Sequence, residues 1–206
     1  MHIRALQTDD LGILAQEVSD LWYDGTGDNA ELLGKAELCV HLSHSDAGLV
    51  ATDDDGRVLG VVLVQEAHGQ NHPYALRDEA CAFGQQFWER MRERGIDNAD
   101  IVLKAEDALL GRAVEQSGQA GEIVLLVVMA AARGMGMGKR LMREGALWLA
   151  ERDVTQVRLA TDESCDWQVY EHLGMERVAQ DTIGDDPSLE IYVYQMPTSA
   201  LVKRLS

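Results

Sequence analysis

The amino-acid sequence predicts a mixed α/β fold, and three observations lead to it. Two apolar runs over residues 48–64 are joined by an Asp-Gly turn, the pattern of a β-hairpin. A β-branched run, Glu122–Val128, leads into a loop with glycine at every second position and then into helical periodicity. Beyond it, strand-like and helix-like segments alternate as far as residue 196.

Taken in order, Thr8-Asp9-Asp10 precedes Leu11, Ile13, Leu14, Val18, Leu21 and Trp22, an N-cap signal followed by helical spacing. Gly25–Asn29 interrupts that pattern, and a second helix is expected through Leu32, Leu33, Leu38 and Val40. Gly48–Thr52 reads as a strand and Asp53–Arg57 as the turn. Val58–Val64 is so continuously apolar that it should be buried on both faces. Residues Ala67–Ala120 form a distinct stretch, expected to be a helical insertion within a single domain of residues 1–206. It opens with the loop Gly69–Pro73. A helix is expected over Arg77–Arg94, with Phe83, Phe87, Trp88 and Met91 on one side and Gly95 at its end. Asn98–Gln116 fits another helix, or a short strand beginning at Val102-Leu103. After the glycine loop a helix should run to about Arg152. Then come a strand Val154–Thr161, a helix Ser164–Leu173 closed by Gly174, and strands Glu176–Thr182 and Leu189–Met196.

Composition narrows the function. A net charge of −17 disfavours nucleic acid, whose partners gain affinity from basic stripes, and it attracts cations. No run of about 18 apolar residues is present, so no membrane span is expected. The first ten residues turn acidic without the apolar stretch of a signal peptide, and a cytoplasmic protein is expected. Cys39, Cys81 and Cys165 are too widely spaced for a disulfide framework or a zinc motif, so free thiols and no metal are expected.

The loop Arg133-Gly134-Met135-Gly136-Met137-Gly138-Lys139 is the strongest chemical signal. Its glycines let the backbone approach a ligand, and unpaired amides at a helix start favour phosphate. Arg133 and Lys139 add two cations. It is not a P-loop: the first glycine position holds Arg133, and Arg140 follows Lys139 where Ser or Thr is required. The alternating glycines also miss the dinucleotide fingerprint G-x-G-x-x-G.

At these residues the chain resembles the GCN5-related N-acetyltransferase (GNAT) family. The family pattern Arg/Gln-x-x-Gly-x-Gly/Ala is met by Arg133, Gly136 and Gly138, after a strand that ends in Val127 and Val128. A second motif agrees, with the strand Val157–Asp162 followed by Tyr170-Glu171-His172-Leu173-Gly174-Met175. The resemblance implies a mostly antiparallel, twisted central sheet flanked by helices. The strands Glu122–Val128 and Val157–Thr161 should splay apart to admit acetyl-CoA. It also implies cofactor contacts from Val127, Val128, Gly134, Met135, Met137 and the rest of the loop. Cys165 stands where the family often places an Asn against the pantetheine arm. The expected activity is direct transfer of an acetyl group to a primary amine, with a non-catalytic acyl-CoA sensor as the alternative. Tyr170 is implied as the acid that protonates the leaving thiolate, and Glu122 as the base. Ala67–Ala120 exceeds the family's usual link; it is expected to select a cationic acceptor or to form a core or homodimer contact. His68 and His72 are alternative bases if that stretch folds over the site, although a solvated loop is the simpler expectation.

Overall fold

A computed structural model describes residues 1–69, 74, 76–77, 89–90, 93, 101–183 and 189–206, with the side chains of residues 101–103 left aside. The expected helix Arg77–Arg94, its apolar residues and His72 fall outside the described residues or almost wholly so. Seven strands form one sheet: β1 (His2–Ala5), β2 (Ala47–Thr52), β3 (Val58–Gln65), β4 (Gly121–Val128), β5 (Gln156–Asp162), β6 (Glu176–Thr182) and β7 (Glu190–Pro197). Their spatial order is β1-β2-β3-β4-β5-β7-β6. Every neighbouring pair is antiparallel except β4 with β5.

Helices cover both faces. On one lie α1 (Leu11–Trp22), α2 (Ala30–Ser43) and α3 (Ile101–Ser117); on the other lie α4 (Met137–Ala150) and α6 (Thr198–Arg204). The short α5 (Gln168–His172) follows β5. Strand β3 shows why its sequence is continuously apolar. Val62 and Val64 pack toward α4, while Val61 and Leu63 pack toward α1 and α2. Of the two readings for residues 98–116, the helix holds over the described part, which is α3 from Ile101 on. It seats Leu109, Leu110 and Ala113 on Ile191 and Val193 of β7.

Some boundaries move for identifiable reasons. Thr8–Asp10 is a 3₁₀ turn rather than a helix cap. The Asp10 carboxylate turns back to accept from the Gln7 amide (2.9 Å) and from both Arg4 guanidinium nitrogens (2.7 Å each). Helix α4 stops at Ala150, where Glu151–Asp153 tighten into a turn with Asp153 at φ +60°. The expected helix Ser164–Leu173 shortens to α5 because Asp162 organises a turn first. Its side chain accepts from the Ser164 amide (2.7 Å), and its carbonyl accepts from the Cys165 amide (3.1 Å).

Helices α1 and α2 cross at Gly34. A Cβ there would lie 2.6 Å from the Ala15 carbonyl oxygen and from Ser19 N and Cβ, and backbone cannot yield cheaply. Gly34→Ala is therefore expected to destabilise by about 1–3 kcal/mol, lowering Tm by several degrees in a scanning-fluorimetry melt. Gly111→Ala in α3 should hold or raise Tm, because nothing lies within 4 Å of a Cβ there. Equal melts would contradict this packing.

Candidate active site

Strands β4 and β5 pair only at their starts, through Gly121↔Val157 and Glu122↔Arg158, and then part. At the same place β4 carries a bulge. Leu125 faces Leu63 and Ile123 faces Val64, so Val124 has no partner in the β3 ladder. The ladder is thus irregular at Val124, beside the point where β4 and β5 part. A cavity of about 620 Å³ opens here. Its walls come from α1, α2, α3, the loop after β3, the parting strands and α5.

Glu122, Tyr170 and Cys165 all line this cavity. Glu122 is only 7% exposed, which excludes a strand-end surface charge. Its Oε2 lies 3.1 Å from Nδ1 of His68, and the other ring nitrogen of His68 lies 3.7 Å from Asp107 of α3. The hydrogen bond to Glu122 raises the His68 pKa above its usual value; burial opposes this, and the charges of Glu122 and Asp107 support it. His68 is thus part of the site, not a solvated loop residue. Burial raises the Tyr170 phenol well above its ordinary range, so it carries its proton at neutral pH. Burial also raises the Cys165 thiol, with the Asp162 charge adding to the effect. A protonated thiol is a poor nucleophile.

The far wall holds a group that has no counterpart in the expected site. Tyr23 donates to Glu37 (2.8 Å), whose other oxygen meets Nε2 of His41 at 3.3 Å. Burial works against the His41 charge, but Glu37, Glu106 and Glu122 outweigh it and the His41 pKa rises. Glu37 and His41 stand four residues apart on one helix, a spacing visible in the sequence. Burial pushes the Glu106 carboxyl up to about 8. Among the described lining residues are five carboxyl groups, Glu37, Glu106, Asp107, Glu122 and Asp162, and neither Lys nor Arg.

The glycine loop follows β4 at the other end of the strand. Gly134 and Gly136 adopt φ of +75° and +74°, and added Cβ atoms would meet nothing within 4 Å, so the space beside them is open. The first bond inside α4 is from the Arg140 amide to the Gly136 carbonyl (3.2 Å). The amides of Met137, Gly138 and Lys139 are therefore unpaired within the helix. Met135 is exposed and Lys139 extends into solvent. Arg133 is engaged: it donates to the Val128 carbonyl (3.2 Å) and pairs with Glu17 of α1. Met137 and Val127 are core residues, 2% exposed each. Val128 is half-buried and faces the start of α4 near Gly138.

The fold thus carries an amide-rich glycine loop at one end of β4 and a cavity lined by titratable side chains where β4 and β5 part. The chain belongs to the acetyltransferase (GNAT) family, whose model matches residues 15–175. Membership makes acyl transfer its general chemistry, with an acyl-CoA and an acceptor as substrates. Solved structures share the fold at low identity. Arylalkylamine N-acetyltransferase 2 from Aedes aegypti aligns with a TM-score of 0.60 and 14% identity, over 96% of this chain and 98% of that one. Ribosomal-protein-alanine N-acetyltransferase from Brucella melitensis aligns at 0.52 and 16%, over 96% and 99%. An aminoglycoside 6'-N-acetyltransferase complexed with coenzyme A aligns at 0.53 and 14%, over 96% and 97%. No curated protein matches the sequence. Among the described residues no helix is long and apolar enough to cross a membrane.

Proposed function

We propose that this protein is an N-acetyltransferase that moves an acetyl group from acetyl-CoA directly to a primary amine carrying positive charge. The observation behind this reading is the meeting of the His68–Glu122 pair with Tyr170 in one cavity, at the point where β4 and β5 part. The helix-start amides of Met137, Gly138 and Lys139 offer donors to the phosphates of the cofactor, with Lys139 as an exposed cation and Arg133 bracing the loop.

The chemistry balances with these groups. The amine nitrogen attacks the thioester carbonyl and loses a proton to His68 or, through a water, to Glu122. In this scheme backbone at the Val124 bulge polarises the carbonyl oxygen. As the C–S bond breaks, the thiolate takes the Tyr170 proton, the proton taken from the amine replaces it through solvent, and the products are an amide and a thiol. The protonated state of Cys165 favours direct transfer over an acyl-enzyme. The carboxyl-rich lining supports a cationic acceptor. We assign the stretch Ala67–Ala120 to acceptor selection on the same ground, because His68, Glu106, Asp107 and Leu110 supply part of that lining.

Tyr170→Phe is the test of the acid. It should lower kcat by about 10²-fold or more with little change in acetyl-CoA affinity. Mass spectrometry of wild-type protein mixed with acetyl-CoA alone should show no covalent acetyl adduct. A stable adduct on Cys165, or a Phe variant with full kcat, would overturn the scheme.

A further inference from the structure

The reaction scheme leaves a third charged group beside the dyad unused. Arg158 of β5 stands directly opposite Glu122 in the short parallel ladder. Ladder partners project their side chains to the same face of a sheet. Ala160, two residues on, packs against the α3 cluster, so that face is the cavity side. Arg158 is only 2% exposed. Its Nε donates to Gln195 Oε1 of β7 at 2.5 Å. Its two terminal nitrogens are buried and have no hydrogen-bond partner among the described residues.

Anchoring β7 needs only the Nε bond. A buried cation with unmet donors costs stability, and a neutral residue of similar volume would avoid that cost. The arrangement makes sense if the charge itself is needed, and Glu122 is the anion placed across from it. We propose that Arg158 is a positioning residue for acyl transfer, a buried cation across the strand pair from Glu122 that offsets the acidic charge around the His68–Glu122 pair and so lets His68 give up its proton. This rests on the reading of His68 and Glu122 as the proton-accepting pair.

The titratable groups around that pair are known. His41 and His44 act on Glu122 from α2, and Asp107 and Glu106 act from α3. His68 approaches from the loop after β3, and Gln195 of β7 is neutral. Asp107 adds negative charge beside the pair. The histidines are cations only when protonated. Arg158 is the one member of this described set that is always a cation. It also works against a proton on His68, so its removal should make that proton harder to lose.

The test uses two neutral replacements, Arg158→Met, which keeps volume, and Arg158→Gln, which keeps a polar contact to Gln195, with Arg158→Lys as the charge-retaining control. The His68 ring is followed by NMR pH titration, assigned by the signal lost in His68→Asn. Both neutral variants should raise the His68 midpoint by about 1 pH unit. The acid limb of kcat/KM should move up with it. Arg158→Lys should leave both near wild type. An unmoved midpoint in either folded neutral variant would overturn the proposal, as would collapse of the fold in both. The NMR midpoint does not need turnover. If it moves while Glu122→Gln remains fully active, the base reading fails and the placement of Arg158 stands. If it stays fixed while Glu122→Gln is inactive, the Arg158 proposal fails alone.

Discussion

Glu122→Gln is expected to lower kcat/KM by about 10²–10⁴-fold, the usual cost of removing a general base, with acetyl-CoA affinity little changed. The amide matches the carboxylate in size, so the bulged start of β4 should keep its packing. What changes is the proton balance. A glutamine cannot take a proton, and it no longer holds His68 by a charged hydrogen bond. That bond is the largest influence raising the His68 pKa. In the variant the residual acid limb of kcat/KM should therefore move to lower pH. This is opposite in sign to the shift expected on neutralising Arg158, and the two displacements test the electrostatics from both sides. Stopped-flow detection of the released thiol between pH 5.5 and 9 measures both. Wild-type rates across that range would place the base elsewhere.

Gly136→Val should weaken CoA binding by 10-fold or more, read by calorimetry. A valine there blocks approach to the amides at the start of α4. Losing one charge-assisted hydrogen bond costs about 1.5–3 kcal/mol, or about 10–100-fold in affinity. Because Gly136 sits at φ +74°, valine also strains the backbone by about 1–2 kcal/mol. Gly56→Val separates the two effects. Gly56 has φ +83° in the β2–β3 turn with open space around it, far in sequence from the loop. It should lose similar stability and keep CoA affinity. Matching affinities in two folded variants would remove the loop from the CoA site.

The features visible in the sequence were those written in local pattern. The hairpin, the central strand and the glycine loop each rest on a few adjacent residues, and each appears where expected. Contacts between distant residues leave no such trace. His68 and Glu122 are separated by 54 positions and meet because β3 and β4 are antiparallel neighbours. The Val124 bulge depends on register, which composition does not record. The ion pair of Arg133 with Glu17 joins the loop to α1 across 116 positions, so Arg133 read as a free cation. Two signals were available and local: the Glu37/His41 spacing, and an arginine inside the apolar strand Val157-Arg158-Leu159-Ala160.

The most direct measurement of the central claim is mass-spectrometric detection of N-acetylated product, with stoichiometric thiol release, when wild-type protein is given acetyl-CoA and a panel of amines. The panel spans monoamines, polyamines, aminoglycosides and peptide N-termini. The account predicts turnover of at least one cationic amine, one thiol released per amide formed, and loss of that turnover in Glu122→Gln. Tight binding of acetyl-CoA with no acetylated product from any amine would contradict it and identify the protein as an acyl-CoA sensor.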